Sequence, residues 1–432
     1  MTSVQESSPP AEDVPRLAEH LFREEAGRLV SILTGIFGVR NLHLAEDVVQ
    51  EAMARALKTW PYYGVPDNPR AWLMRTARNL AVDVIRRETR FREKQDEIIT
   101  HFELRLPETE LPGDAWGLER EITDDRLRLM FACCHPVLPV EQQIALALKV
   151  LGGFSPREIA RAFFCKEAAI AKRLTRARQR LQREDIRWEI PVGSDLPPRL
   201  EGVLHSLYLL FNEGYKASGG ERIVREELCE EAIRLTRLLA EHPEVGQPRV
   251  HALLALMYLN GARLQTRVDD AGNLLRMEDQ DRSRWNKTMI QQGVFHLARV
   301  CKGDQLSEYH LQAGISACHC LAPDVSSTDW PRILDLYDHL MEINDSPLIA
   351  LNRAVALAKV RGPDEGIAEV ERLLNQSPWE SYYLTHAVLG EFECQRKDVK
   401  AAAGHFQEAL QRSEMASERA FLSKRLQECR SG

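Results

Sequence analysis

This sequence predicts an all-α chain of roughly two to four domains, and three observations carry that prediction. Apolar residues recur at three- and four-residue steps along most of the 432 positions, as they do on the inner stripe of amphipathic helices. Strand-like alternation is nearly absent, even in the long second half. Charge is sorted into blocks: Arg70–Lys94 carries eight basic against three acidic side chains, Gln95–Asp125 two against ten, and Lys166–Arg187 eight against three. Two basic patches around an acidic connector point to two nucleic-acid contacts from one polypeptide. The overall net charge of −7 excludes a protein that coats nucleic acid indiscriminately.

Composition narrows the class further. A hydrophobic content of 44% with 28% charged residues is that of a globular domain with its own core. No run approaches the roughly eighteen apolar residues of a membrane span. The opening MTSVQESSPPAEDVP lacks the basic-then-apolar order of a secretory signal. The nine cysteines are scattered, with local clusters only at Cys133-Cys134 and Cys318-His319-Cys320, so a cytoplasmic chain with reduced thiols is expected. Two thiols two residues apart on a helix diverge by about 200° and cannot serve one ion. Neither cluster has a second ligand pair at zinc spacing, and no metal site or cofactor is expected.

Taken in order, Arg16 to Arg40 reads as a first helix with Leu29, Val30 and Leu33 inward, and Leu44 to Leu57 (LAEDVVQEAMARAL) as a second. The second should bury Leu44, Val48, Val49, Met53, Ala56 and Leu57, leaving Glu46, Asp47, Gln50 and Glu51 outside. An aromatic, proline-rich stretch from Trp60 to Pro66 reads as a turn. Asn68 then caps a third helix with Pro69 in its first turn. That helix, NPRAWLMRTARNLAVDVIRRETR, turns Trp72, Leu73, Ala77, Leu80, Ala81, Val84 and Ile85 inward and leaves Arg75, Arg78, Asn79, Arg86 and Arg87 for a polyanion.

The acidic stretch that follows loses periodicity and reads as a linker. Beyond it, Ser155-Pro156-Arg157-Glu158 has the residue types of a capping box with a first-turn proline. It opens a short helix that breaks at Phe164-Cys165 and is followed by the basic helix Lys166–Leu181. Two helices about a tight turn, the second basic and rich in alanine, form a helix-turn-helix pattern. Ile170, Leu174, Ala177 and Leu181 face inward there; Lys166, Glu167, Ala169, Lys172, Arg173 and Arg176 face outward, toward a major groove.

After the boundary IPVGSDLPP (190–198), the remainder is helical and repetitive. Pro347–Ala358 with Gly366–Leu374 is echoed, after about 34 residues, by Tyr383–Gly390 with Ala401–Leu410. Earlier pairs lie at Glu226–Ala240 with Val250–Leu259 and at Tyr309–Leu321 with Trp330–Ile343. Small residues at the contacts predict an α-solenoid of degenerate tetratricopeptide-like pairs.

LAEDVVQEAMARAL and NPRAWLMRTARNLAVDVIRR resemble region 2 of bacterial RNA polymerase sigma factors of the extracytoplasmic-function (ECF) type. LALKVLGGFSPREIARAFFCKEAAIAKRLTRARQRL resembles their region 4. LYLLFNEGY (207–215), DQDRSRWN (279–286) and TDWPRILDLYD (328–338) look like the subgroup that carries a helical C-terminal extension. The resemblance implies a region 2 domain at 14–92, an acidic linker at 93–120, a region 4 helix-turn-helix at 121–188 and the extension at 199–432.

It further implies two partners, core RNA polymerase and promoter DNA, with a regulatory protein or ligand at the repeats. Glu46, Asp47, Gln50 and Glu51 would meet the polymerase. Trp60, Trp72, Arg75, Arg78, Asn79, Arg86 and Arg87 would serve the −10 element, and Lys166, Glu167, Ala169, Lys172, Arg173 and Arg176 the −35 element. In that family the linker runs near the RNA exit path. A scaffold or sensor with an attached DNA-binding module is the competing reading. An enzyme is disfavoured, because no nucleophile elbow, phosphate loop or metal motif is present.

Overall fold

A computed structural model describes residues 25–34, 37, 42–87, 122, 124–183, 191, 193–217, 223–269, 273–300, 306–374, 382–413 and 415–431. Among these residues there is no strand, only an isolated bridge between Val268 and Leu274. The chain divides into two compact units. The first takes residues up to Leu209 together with His242–Val245, and the second takes Leu210–Glu241 and Gly246 onward. The acidic linker, the first part of the first expected helix and the side chains of Arg86 and Arg87 lie outside the described residues.

In the first unit, α1 (residues 25–34), α2 (Leu42–Tyr63) and α3 (Pro69–Arg87) share one core. Leu29 and Leu33 of α1, Val48, Val49 and Ala52 of α2, and Leu73, Ala77 and Ala81 of α3 are all buried. Asn68 caps α3 through its side chain, which accepts from Ala71 N–H at 2.9 Å. Buried Glu25 draws Arg70 onto α1, with Nε 2.9 Å away.

The second helix departs from the sequence reading in both length and phase. It runs through Pro61 to Tyr63 and ends at Gly64, whose φ of +83° suits glycine and whose N–H reaches the Trp60 carbonyl at 3.0 Å. Its buried stripe is Leu42, Ala45, Val48, Val49, Ala52, Ala56 and Trp60, while Leu57 is 48% exposed. A proline in the last turn forfeits a single hydrogen bond. Burying the Trp60 indole edge-on against Trp72, centroids 5.6 Å apart, offsets it.

The remaining elements of the first unit are α4 (Asp125–Cys133), α5 (Val140–Leu151), α6 (Pro156–Ala162) and α7 (Glu167–Arg183). The capping box forms: Ser155 Oγ accepts from Glu158 N–H at 3.2 Å, and Glu158 Oε2 accepts from Ser155 N–H at 2.8 Å. Phe164 turns the chain between α6 and α7 at a φ of +49°. Ile170, Leu174, Ala177 and Leu181 are buried as the periodicity predicts. Cys133 and Cys134 are fully buried, and loss of solvation pushes the Cys134 thiol up to about 12. They behave as small core residues. The start of α8 (Leu200–Tyr215) seals this unit, with Gly202 so close to Gln143 and Cys134 that a Cβ would collide with both.

The second unit is a run of helical hairpins, each helix packed on its neighbours in sequence. The four helix pairs expected from the repeats all form. They are α9 (Glu226–Glu241) with α10 (Pro248–Gly261), α12 (Glu308–Leu321) with α13 (Trp330–Ile343), α14 (Pro347–Arg361) with α15 (Pro363–Leu374), and α16 (Tyr383–Arg396) with α17 (Val399–Arg412). Between α10 and α12 lie an irregular segment and α11 (Lys287–Val300); α18 (Ala416–Ser431) closes the run. Small residues set the contact distances. A Cβ on Gly390 would lie 2.8 Å from the Phe406 ring, and one on Gly366 2.7 Å from Ala358.

Candidate nucleic-acid interface

The outer faces of α2, α3 and α7 hold the candidate residues. On α2, Asp47, Gln50 and Glu51 are exposed, with Glu51 held by Arg55 at 3.0 Å one turn on. Glu46 is different. Its side chain is only 14% exposed, and Arg178 Nη2 of α7 donates to both carboxylate oxygens at 2.8 and 3.1 Å. Burial raises the Glu46 pKa above the usual glutamate value, with Arg178 and Lys149 opposing the shift. A second contact brings α1 to the end of α5: a Cβ on Gly27 would sit 2.4 Å from the Leu151 carbonyl oxygen.

On α3, Arg75 and Asn79 are exposed, Arg78 and Trp72 half-buried. Trp60 is corrected: at 1% exposure it is a core residue and cannot stack on a base. The aromatics the turn does offer are Tyr62 and Tyr63, 84% and 86% exposed, which the sequence reading did not single out. On α7 and the residue before it, Lys166, Glu167, Lys172 and Arg176 are exposed, with Ala169 half-buried between them. Lys172 and Arg176 are one turn apart and share a face. Arg173 is drawn back onto the preceding turn, its guanidinium 5.5 Å over the Phe163 ring and Nη1 3.9 Å from Cys165 Sγ.

Residues 21–91 match the sigma-70 region 2 family and residues 128–181 the sigma-70 region 4 family. The chain is similar to the ECF RNA polymerase sigma factor SigE of Mycolicibacterium smegmatis, 29% identical over 166 residues that cover 38% of this chain and 60% of that one. The chain is an ECF-type sigma factor with a C-terminal extension. An uncharacterised protein of Rhizobium meliloti is 39% identical over 397 residues, 90% of both chains, so the similarity reaches through the extension. Residues 199–301 match a family of unknown function, DUF6596.

In this sigma factor, then, region 2 comprises α1 to α3 and region 4 comprises α4 to α7. The Arg178–Glu46 pair joins the two regions, a link between positions 132 apart that no local pattern reveals. Within the extension, Asp279 pairs with Arg276 at 2.7 Å, and Asp281 caps the turn Arg282–Arg284 by accepting from Ser283 N–H at 2.9 Å. Both carboxylates are therefore engaged in local structure. A cavity of about 700 Å³ between α9, α10 and α11 is lined by His251, His296, Arg237 and Arg299. The two rings stack with Nδ1 atoms 3.0 Å apart. Burial, the neighbouring His251 and Arg299 push His296 down to about 4. Among the described residues, no group of three or more His, Cys, Asp or Glu could hold a metal ion, and no helix is long and apolar enough to cross a membrane.

Proposed function

We propose that this sigma factor directs core RNA polymerase to promoters in the cytoplasm, reading the −10 element with region 2 and the −35 element with region 4, and that its extension regulates that activity. The observation that carries the reading is a division of charge among exposed helical faces. An acidic row on α2 (Asp47, Gln50, Glu51) is offered to a basic polymerase surface. The cations of α3 and α7 (Arg75, Lys172 and Arg176 foremost) are left for phosphates and guanine acceptors. Arg78 and Asn79 extend the α3 row, Arg86 and Arg87 are assigned to the same element from the sequence pattern, and Trp72 with Tyr62 and Tyr63 supplies stacking surface for single-stranded bases. Catalysis stays with the polymerase.

Run-off transcription with purified core polymerase on the gene's own upstream DNA tests this. The full chain is expected to initiate at a defined start, and K172A/R176A to lose initiation while still binding polymerase. Loss of polymerase binding in D47A/E51A with DNA contacts intact is expected for the acidic row. No initiation and no polymerase binding by the full chain would remove the reading. Promoter output from a chain ending at residue 217 tests the extension; output equal to that of the full chain would remove the regulatory role.

A further inference from the structure

Three stretches that resemble the extended subgroup, 207–215, 279–286 and 328–338, lie outside the residues that match sigma-70 regions 2 and 4, and the fold of the second unit brings residues of all three together. The first ends in Tyr215, the second supplies Arg282 and Trp285, and the third begins at Thr328. Arg263 and Arg267, just past α10, complete the cluster. Guanidinium and aromatic groups alternate along it. Arg267 lies 3.6 Å from the Tyr215 ring centroid, Arg263 lies 5.8 Å from Tyr215 and 5.7 Å from Trp285, and Arg282 lies 5.1 Å from Trp285.

The charge of this ladder is compensated only in part: among the described carboxylates, Asp324 acts on Arg282 electrostatically, without an ion pair. None of Arg263, Arg267 and Arg282 makes an ion pair with a described carboxylate. Arginine cannot shed its proton in a protein, and Arg263 is only 6% exposed. Burying an unpaired charge costs several kcal/mol. Cation–π contacts return only part of that cost, too little for three cations. His319, which faces Arg263 and Arg282, is driven by burial and those two charges to about 3, so it is neutral at pH 7 and adds no fourth cation.

Hydrogen-bond donors are left over as well. Arg282 Nη1 and Nη2 are satisfied by the carbonyls of His319 and Ala322 and by Thr328 Oγ1, and one Arg263 Nη2 proton goes to Tyr215. Arg263 Nε and Nη1, Arg267 Nε, Arg282 Nε and Trp285 Nε1 are buried without a partner among the described residues. Five unpaired N–H groups and three positive charges in one place exceed what a carboxylate accepts, and fit the oxygens and double charge of a phosphate group.

We propose that the ladder Arg267–Tyr215–Arg263–Trp285–Arg282 is a binding site for a phosphate group, either inorganic phosphate or the phosphomonoester of a small molecule. The site gives the extension a ligand of its own. Its test reads binding without polymerase or DNA, so its outcome is separate from that of the promoter reading.

The experiment uses the full chain, dialysed free of phosphate. Inorganic phosphate is expected to raise the melting temperature in a concentration-dependent way, where sodium chloride at equal ionic strength does not, and to give a saturable calorimetric isotherm. Trp285→Phe keeps the ring and removes one donor; it should leave the circular dichroism spectrum unchanged and weaken phosphate about tenfold, as loss of one hydrogen bond to a charged group does. Arg267→Gln should weaken it further. Phenyl phosphate binding more tightly than inorganic phosphate would assign the site to a phosphomonoester, and the reverse to the free ion. Equal melting curves in phosphate and chloride overturn the proposal. So does an unchanged phosphate affinity in a folded Trp285→Phe protein.

Discussion

Removing Arg178 should loosen the junction between regions 2 and 4, and the size of the effect follows from the geometry. One guanidinium nitrogen binds both oxygens of Glu46, at 2.8 and 3.1 Å. The carboxylate is 14% exposed and the arginine 37%. Fully exposed pairs contribute about 0.2–1 kcal/mol, whereas breaking a buried pair costs about 3–5 kcal/mol. Solvent on the arginine side places this pair near the lower range, at about 1 kcal/mol, or about fivefold in an opening equilibrium. A double-mutant cycle of Arg178→Ala and Glu46→Gln, read by hydrogen exchange of the α2 and α7 amides, isolates that coupling.

The pH dependence adds a second readout. Burial already holds the Glu46 pKa above the usual value, against Arg178, Lys149 and His43 and with Asp47. Deleting Arg178 raises it further, so the closed form binds a proton that the open form has lost, and stability falls as pH rises above the normal glutamate pKa. The Arg178→Ala deficit should therefore be larger at pH 8 than at pH 5. Because opening frees Glu46 to join the proposed polymerase-facing row beside Asp47, the same variant should bind core polymerase up to about fivefold more tightly. A coupling of zero, or a deficit equal at both pH values, refutes the reasoning.

Further outcomes are expected elsewhere. Gly214→Ala places a Cβ 2.8 Å from Cys229 N and 2.9 Å from the Arg225 carbonyl oxygen; both are backbone atoms that cannot turn aside, so a loss of at least about 1–3 kcal/mol should appear as a lowered melting temperature. Ser155→Ala removes the Oγ that accepts from Glu158 N–H, while the backbone N–H of residue 155 still donates to Glu158, and should cost about 1 kcal/mol, with weaker binding of −35 DNA. Arg176→Gln should reduce the slope of log affinity against log salt by about 0.9, the release of one phosphate counterion; an unchanged slope would place Arg176 away from DNA. His296 is held near 4 in the fold, against about 6.5 when unfolded, so its contribution is complete above pH 6.5 and is lost as pH falls toward 4. The melting temperature of the His296→Asn protein should fall less between pH 6.5 and 5 than that of the parent chain.

What the sequence made legible was whatever one helix decides for itself. Ser155, Pro156 and Glu158 specify a helix start through contacts three residues apart. Ile170, Leu174, Ala177 and Leu181 specify a buried stripe, and the basic rows of α3 and α7 follow once those stripes are set. The α2 reading failed at Trp60 because local signals competed with burial. Proline and tyrosines argue for a turn, but an indole edge-on to Trp72 and a glycine cap at Gly64 carry the helix six residues beyond Leu57, to Tyr63, and the inward stripe keeps Ala56, drops Leu57 and gains Trp60.

The remaining features are long-range pairings, which periodicity cannot encode. Arg178 reads as one more outward cation of a basic helix until the fold sets it against Glu46. Arg263, Arg267 and Arg282 each look like a solvated surface arginine, and the nearest acidic residues in sequence, Asp269, Asp279 and Asp281, seem ready to neutralise them. Asp269 bonds Asn273, Asp279 pairs with Arg276 and Asp281 accepts from Ser283, and the three arginines gather around Tyr215 and Trp285 without an ion pair to a described carboxylate. A bound phosphate is therefore expected to bring to these arginines the contact charge that no described carboxylate makes with them.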